Sequence, residues 1–461
     1  MAILLIRPLG PQYYKTAGPD LGLGFLLTAL ARTGLSATVV DLVREPERRL
    51  RQVLRGQRFS HIGFKLYSKD IRHFRELVAL IRAETRGPMP RLVAGGPLPT
   101  GLGEEFLCQF PEVDYAFRGE AEAGYPMLAR ALEEERAPDV EAIPGLIWRS
   151  NGTVRSAPQH FPPDLDALGY PDLSAMPPAA YPPDYTSGDV YVPIVTTRGC
   201  PYHCSYCGGP VANGHKLRKH SPGYVLDLIE DLYRRHGVTM ISIVDDNFTM
   251  DPSHARAVLE GLVERRLPVR WRAPNGVRLD TLDRDLVRLM ERSGCRELYL
   301  GIESGSPKVL ADMKRRVSVE TYREKVRLLA ENTRIRLLGF FILGYPTEAE
   351  EDARRTIDLA LELPLHRAAF FFFTPHPGTE IFEEMRARGE FPDDLWHSFF
   401  YDRPTLGTRS LSLARLRRLQ RRAVLRFYLR PRIVRDLAAS VRSPRQFGRL
   451  ARKIAGTLLG R

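Results

Sequence analysis

Five cysteines in 461 residues, an odd number, are too few and too unevenly placed for a disulfide framework. Three of them, Cys200, Cys204 and Cys207, fall within eight residues, while Cys108 and Cys295 stand alone in apolar surroundings and read as inert buried thiols. A tight group of this kind suits a reducing compartment and points to metal. Long apolar runs are also missing: none approaches the roughly 18 residues that a bilayer crossing needs. The opening MAILLIRPLG has no leading positive region and no small-residue cleavage site, so it reads as a strand and a cytoplasmic location is expected. No repeat with a period of about 20 to 50 residues is evident beyond a general β/α alternation.

Acid is scarce in one place only. From Leu411 to Arg461 there are 15 Arg and Lys against the single Asp436, so this segment carries the formal charge of +13 and the body of the chain is close to neutral. The net charge therefore says little about a ligand bound in the body, and without interleaved aromatics it gives weak support to nucleic-acid binding. The stretch LARLRRLQRRAVLRFYLRP places Arg, Leu and aromatics at helical spacing. That pattern suits either a peripheral helix on the anionic inner face of a membrane or a solvated Arg-rich helix packed on the body.

The alternation divides the chain into an N-terminal unit (residues 1–136), a Pro-, Asp- and Gly-rich linker (137–190), a second β/α unit (191–388) and a basic helical extension (389–461). In the first unit, strands at Ala2–Ile6, Ala37–Asp41, His61–Lys65, Arg91–Ala94 and Val113–Phe117 alternate with helices, which predicts a flavodoxin-like (Rossmann-type) α/β domain. Ligands of such sheets lie beyond the carboxyl ends of the strands, here the loops at Pro8-Leu9-Gly10, Tyr67-Ser68-Lys69, Gly95-Gly96 and Gly119. The second unit shows six strands, at Val192–Thr196, Met240–Asp245, Val269–Ala273, Leu298–Ile302, Leu337–Leu343 and Ala368–Thr374. They predict a partial (β/α)6 barrel of TIM type with its working face at the carboxyl edge.

TTRGCPYHCSYCGG follows the first strand of that barrel. Three thiolates on one loop can hold three irons of a [4Fe-4S] cubane and leave the fourth open for a ligand. Zinc would need a fourth donor, for which His203 and Cys295 are the candidates, and a two-cluster ferredoxin would need further cysteine runs that are absent.

With these residues in place, the chain resembles the cobalamin (B12)-dependent radical S-adenosylmethionine (SAM) enzymes, over residues 2–388. The resemblance implies that Tyr206 lies by the SAM adenine and that Gly208 is among the cofactor-binding residues. It implies that Asp245, Asp246 or Asn247 in VDDNFT contacts the SAM amino group, and that Asn275 and Arg278 reach its carboxylate. Glu303 and Ser304 in GIESGS would contact ribose and carboxylate, and Gly344 in FILGYPTE the adenine. DLGLGFLLTALARTG, LVAGGPLPTGL and DYAFRGEAE resemble the family's cobalamin domain, which implies corrin contacts near Tyr67, Ser68, Gly95, Gly96 and Gly119. No DxHxxG loop is present, and Asp70 and His73 have the wrong spacing for one, so cobalt would be held without histidine.

The activity that the resemblance implies is C-methylation of an unactivated carbon. One SAM methylates cob(I)alamin, a second yields a 5′-deoxyadenosyl radical, and the substrate radical takes the methyl group; the cofactors do this chemistry and no catalytic side chain is assigned. An external reductant such as flavodoxin or ferredoxin is implied. Oxidative cyclisation or rearrangement without methyl transfer and a cobalamin sensor with an inactive barrel are the alternatives. A tRNA-modifying enzyme is disfavoured by the neutral body. The substrate is expected to be a small molecule or lipid-like; FFFFTPHPGTE places phenylalanines on the last strand, for which an inward-packed core is the plainer reading, and offers His376 as a substrate-side polar contact.

Overall fold

The computed structural model describes residues 1–8, 18–183, 187–392 and 404–440. Parallel strands of apolar, β-branched residues form two sheets. The first has seven strands: β1 (Ala2–Arg7), β2 (Ala37–Asp41), β3 (Phe59–Lys65), β4 (Arg91–Gly95), β5 (Tyr115–Phe117), β6 (Leu146–Ser150) and β7 (Thr153–Ser156), in the order β2-β1-β3-β4-β5-β6-β7. The parallel 2-1-3-4-5 part is the flavodoxin-like order. β6 and β7 are antiparallel and extend this sheet into the segment read from sequence as linker. The signal was Asn151-Gly152, whose φ values of 49° and 77° make the tight turn that joins two hairpin strands.

After β8 (Tyr191–Ile194) come the two-residue pair β9 (Thr197–Arg198) and β10 (Arg218–Lys219), then β11 (Met240–Ile243), β12 (Arg270–Val277), β13 (Cys295–Glu303), β14 (Arg336–Leu343) and β15 (Arg367–Phe372). The six longer strands form one parallel sheet, β15-β14-β13-β12-β11-β8, which curls into a partial barrel because β8 and β15 do not pair with each other. Local sequence fixes the outer helices. Pro222–His236 starts where Ser221 Oγ accepts the Tyr224 N–H and stops at Gly237 in the left-handed conformation.

One apolar core lies between the barrel and its outer helices. A second joins one face of the N-terminal sheet to Val309, Met313, Tyr345, Phe373 and Phe382 of the barrel unit. The two units also touch through backbone: a Cβ added at Gly101 would lie 2.3 Å from the Pro377 carbonyl oxygen. Arg386 closes the same contact with two hydrogen bonds to Glu105, at 2.6 and 2.9 Å.

The helix Leu413–Tyr428 lies along β15. Its Leu416, Leu419, Ala423 and Phe427 are buried in the barrel's outer core, so its apolar stripe belongs to the protein. Gln420 and Tyr428 donate to the Phe370 and Ala368 carbonyls at 2.7 and 2.9 Å, satisfying acceptors of an edge strand with side chains instead of a seventh strand. Residues 393–403 and 441–461 of the basic extension lie outside the described residues. Among those described, no helix is long and apolar enough to cross a membrane.

Phe427→Ala removes a fully buried ring from beneath this helix and is expected to cost about 3–5 kcal/mol in denaturant unfolding. A loss below about 1 kcal/mol would show that the helix is only loosely seated.

Candidate functional site

The loop that carries the three cysteines leaves β8 and is held by two carboxylates at the end of β11. Asp245 is buried and accepts the Thr196 N–H at 2.7 Å, the Thr196 hydroxyl at 2.5 Å and the Thr197 hydroxyl at 3.0 Å. Burial raises its carboxyl to about 6 in spite of those donors. Asp246 accepts the Gly199 N–H at 3.1 Å and the Asn213 amide at 2.9 Å. Both oxygens of Asp245 are therefore engaged in bracing the cysteine loop rather than presented to a ligand. Asn247 is buried as well and accepts the Thr249 hydroxyl.

Cys200 is tied by its N–H to the Gly214 carbonyl, and the Cys207 N–H to that of Cys204, each at 3.1 Å. Burial pushes the Cys200 thiol up and that of Cys207 to about 12, with neighbouring thiolates and Asp246 adding to both. Burial of this kind opposes ionisation of the bare thiols, and a bound cation cluster would offset it by taking up their charge. Gly209 leaves the room: a Cβ there would sit 2.9 Å from Asp246 Oδ1 and 3.5 Å from Cys207 Sγ, and Gly208 faces open space. No three His, Cys, Asp or Glu converge on a single-ion point among the described residues. Cys295 stands at the far end of the nine-residue β13, roughly 26 Å of strand from its carboxyl end, and cannot join the loop as a zinc ligand. It is buried as expected, whereas Cys108 is exposed, a correction to its reading as a buried thiol.

Beside the loop lie three side chains, Tyr206, Glu303 and Arg315, of which Arg315 is buried and the other two are partly buried. Burial, with the Glu303 carboxylate nearby, raises the Tyr206 phenol, and Glu303 has φ of 66° at the irregular end of β13. Arg315 approaches Glu303 to 3.7 Å and Cys204 Sγ to 4.0 Å, and donates to the Gly301 carbonyl at 2.6 Å; its buried Nε has no partner. Arg315 was not singled out from the sequence, where it is one of many arginines; only its position just after the short helix Pro307–Asp312 that follows GIESGS distinguishes it. Arg278 is buried and bonded to both oxygens of Asp280 and to the Arg315 carbonyl, 3.6 Å over the Tyr202 ring. Asn275 is exposed and donates to the Val244 carbonyl. Ser304 is fully buried and bonds Thr356 and the Ser306 N–H, so its hydroxyl faces an outer helix rather than the mouth. Gly344 has φ of 88°, donates its N–H to Glu348, and packs on Leu416. Burial raises the Glu348 carboxyl to about 8.

The carboxyl edge of the N-terminal sheet faces this region. Lys65 ends β3 and donates to both oxygens of Asp20, at 2.8 and 2.9 Å; Arg7 lies 3.7 Å from Asp20 and 3.2 Å from Asp41. Burial opposes ionisation of Asp20, but Lys65 and Arg7 outweigh it and hold the carboxyl at about 2. Tyr67 is exposed beneath the Lys65 and Lys69 ammonium groups, and Ser68 opens a short turn closed by Asp70 on the Tyr67 N–H. Gly95 opens onto free space, while Gly96 packs its backbone on Leu66 and Gly119 donates to Thr100 against Phe161. The Pro8-Leu9-Gly10 loop falls mostly outside the described residues.

A buried network joins the halves. Glu120 and Glu122, just after Gly119, both pair with Arg198 at 2.9 Å, and Glu120 also pairs with Arg218 at 2.5 Å; the four side chains are 4–10% exposed. Arg198 is two residues before Cys200, so the N-terminal edge is fastened directly to the cysteine loop.

The B12 binding domain model matches residues 13–129 and the radical SAM superfamily model residues 194–360. The chain is 28% identical to an uncharacterized methyltransferase of Pyrococcus horikoshii over 449 residues, 94% of each chain. It is 30% identical to the bacteriochlorophyllide d C-12(1)-methyltransferase of Chlorobaculum tepidum, covering 72% of this chain and 68% of the relative. Among solved structures, the radical SAM methyltransferase TsrM of Kitasatospora setae, with cobalamin and a [4Fe-4S] cluster bound, superposes with a TM-score of 0.70 at 22% identity, over 84% of this chain and 75% of that one.

Two outcomes follow from this geometry. Glu120→Ala strands Arg218 in a buried site and is expected to cost about 3–5 kcal/mol of unfolding free energy; no change would sever the link between the halves. Glu348 keeps its proton in the native state where an unfolded chain has lost it, so its burial lowers stability as pH rises from about 4.5 to about 8. Glu348→Gln should flatten that decline in unfolding curves recorded across the same pH range.

Proposed function

The chain belongs to the cobalamin-dependent radical SAM methylases, and on that premise we propose that it methylates an unactivated carbon of a small, largely apolar molecule. The observation that carries this reading is a loop with three cysteines in eight residues, braced by Asp245 and Asp246 and tied through Arg198 to Glu120 and Glu122 at the carboxyl edge of a flavodoxin-like sheet, with open glycines at Gly208 and Gly95. When bound, the [4Fe-4S] cluster with SAM supplies a hydrogen-abstracting radical and cobalamin supplies the methyl group.

In this reading Cys200, Cys204 and Cys207 ligate three irons, and Asp245 and Asp246 fix their spacing through the Thr196–Gly199 backbone. Arg315 offers SAM's carboxylate a charge-assisted hydrogen bond, and Glu303, beside Arg315, faces its polar groups. Gly208 admits close approach, Asn275 borders the mouth, and Arg278 positions Arg315 through its carbonyl, while the space a side chain at Gly344 would take is filled by Leu416. On the opposite edge Tyr67, Ser68, Gly95, Gly96 and Gly119 border the corrin, with the Lys65–Asp20 pair fixing the end of β3.

An apolar substrate is supported by the barrel wall. Half-buried Tyr299, Phe340 and Phe371 follow one another across β13, β14 and β15 with ring centroids 5.4 Å apart, while Phe341, Phe370 and Phe372 turn into the outer core. His376, held neutral by burial with its ring depressed to about 4, follows the end of β15 just beyond Thr374, whose hydroxyl donates to the Phe372 carbonyl. A one-electron reductant of the flavodoxin or ferredoxin class completes the cycle.

Anaerobically reconstituted protein should be brown, bind cobalamin, and form 5′-deoxyadenosine, S-adenosylhomocysteine and a methylated product from a cellular metabolite pool. Cys204→Ala should lose the brown absorption and 5′-deoxyadenosine formation while still binding cobalamin. 5′-Deoxyadenosine with no S-adenosylhomocysteine would replace methylation by cyclisation or rearrangement; a Cys204→Ala protein with undiminished absorption would overturn the assignment of the cluster.

A further inference from the structure

The helix Leu413–Tyr428 spends its inner face on the barrel, which leaves its outer face and the following helix, Pro431–Ser440, to be accounted for. On the outer side, Arg418, Arg422, Leu425 and Leu429 recur at helical spacing, opposite the buried Leu416, Leu419, Ala423 and Phe427. Leu413, Leu425, Leu429 and Val434 are the only exposed large aliphatic residues besides methionine among the described residues, and Leu429, at 69%, is the most exposed of them.

The arginines divide in the same way. Arg415 and Arg426 are pinned to Glu350 and Asp358 of the barrel, and Arg430 and Arg432 donate to the Leu361 and Leu365 carbonyls. Arg417, Arg421, Arg422 and Arg435 make no ion pair among the described residues. Over residues 441–461 the sequence adds six Arg and Lys and no acid. A solvated helix has no use for exposed leucines between uncompensated arginines, and a site for single-stranded nucleic acid would present aromatic rings for stacking. Here the rings are turned inward: Phe427 is buried and Tyr428 bonds the Ala368 carbonyl.

We propose that this outer face is a docking surface for an anionic lipid bilayer, with Leu425, Leu429 and Val434 entering the headgroup layer and the unpaired arginines meeting lipid phosphates. It goes beyond the catalytic reading and does not depend on it. The face seats the barrel unit on the membrane without a spanning segment.

The test is sedimentation of the full-length, cofactor-loaded chain with vesicles of phosphatidylcholine alone or mixed equally with phosphatidylglycerol. The chain should sediment with the mixed vesicles at low salt, stay in solution with phosphatidylcholine, and be released by added salt. Arg421→Glu with Arg422→Glu should weaken partitioning by roughly thirtyfold or more, from two arginines at about 1 kcal/mol each. Leu425→Ser with Leu429→Ser should weaken it several-fold at unchanged charge, and melting curves establish that both variants are folded. Failure of the parent chain to sediment, or variants that bind as it does, would overturn the proposal. So would an RNA gel shift that survives the leucine changes in a chain that ignores vesicles. 5′-Deoxyadenosine formation by the same samples reports separately on the catalytic reading.

Discussion

Three thiols set within eight residues repel one another as they ionise, and a loop that must keep them close needs restraint from outside itself. That restraint is the pair of carboxylates at the end of β11. Asp245 gathers the Thr196 amide and two hydroxyls, Asp246 gathers the Gly199 amide and the Asn213 side chain, and both are desolvated enough for their carboxyls to be pushed up. A desolvated carboxylate is tolerated where donors surround it, and these donors come from the segment that must not move. The barrel's second strand therefore sets the shape of a loop that leaves its first.

The same economy operates between the two halves. Arg198 belongs to the cysteine loop, yet its partners Glu120 and Glu122 lie at the end of a strand in the other sheet. A shared apolar core and the Arg386–Glu105 pair brace the contact from the side. The halves are thus oriented by interactions that converge on the loop, which suits chemistry that passes between two bound cofactors.

Much of this was legible in the sequence, because the alternation of short apolar strands and capped helices is a local property. The strands of both parallel sheets, and the capping of Pro222–His236, were there to be read. The Asn151-Gly152 hairpin was equally local and was hidden only by the Pro-rich composition around it. What could not be read was which polar group meets which. Asp245 and Ser304 sit at strand ends where a ligand would be expected, but tertiary packing gave them to Thr196 and Thr356. Arg315 does the reverse: in an Arg-rich chain nothing local marks it, and only folding brings it beside Cys204 and Glu303. The tail shows the same limit, since its periodicity announces an apolar stripe without saying whether protein or lipid covers it.

The backbone contact at Gly101 and Pro377 bears on how such two-part proteins exchange halves during evolution. Where two halves of a chain touch through bare main chain, the fit depends on one residue having no side chain at all, and compatibility becomes nearly all-or-none. Recombination that paired this N-terminal half with a foreign barrel would succeed only with partners that inherited the complementary indentation. Lineages of the two halves should therefore travel together even while the surfaces that meet substrate diverge.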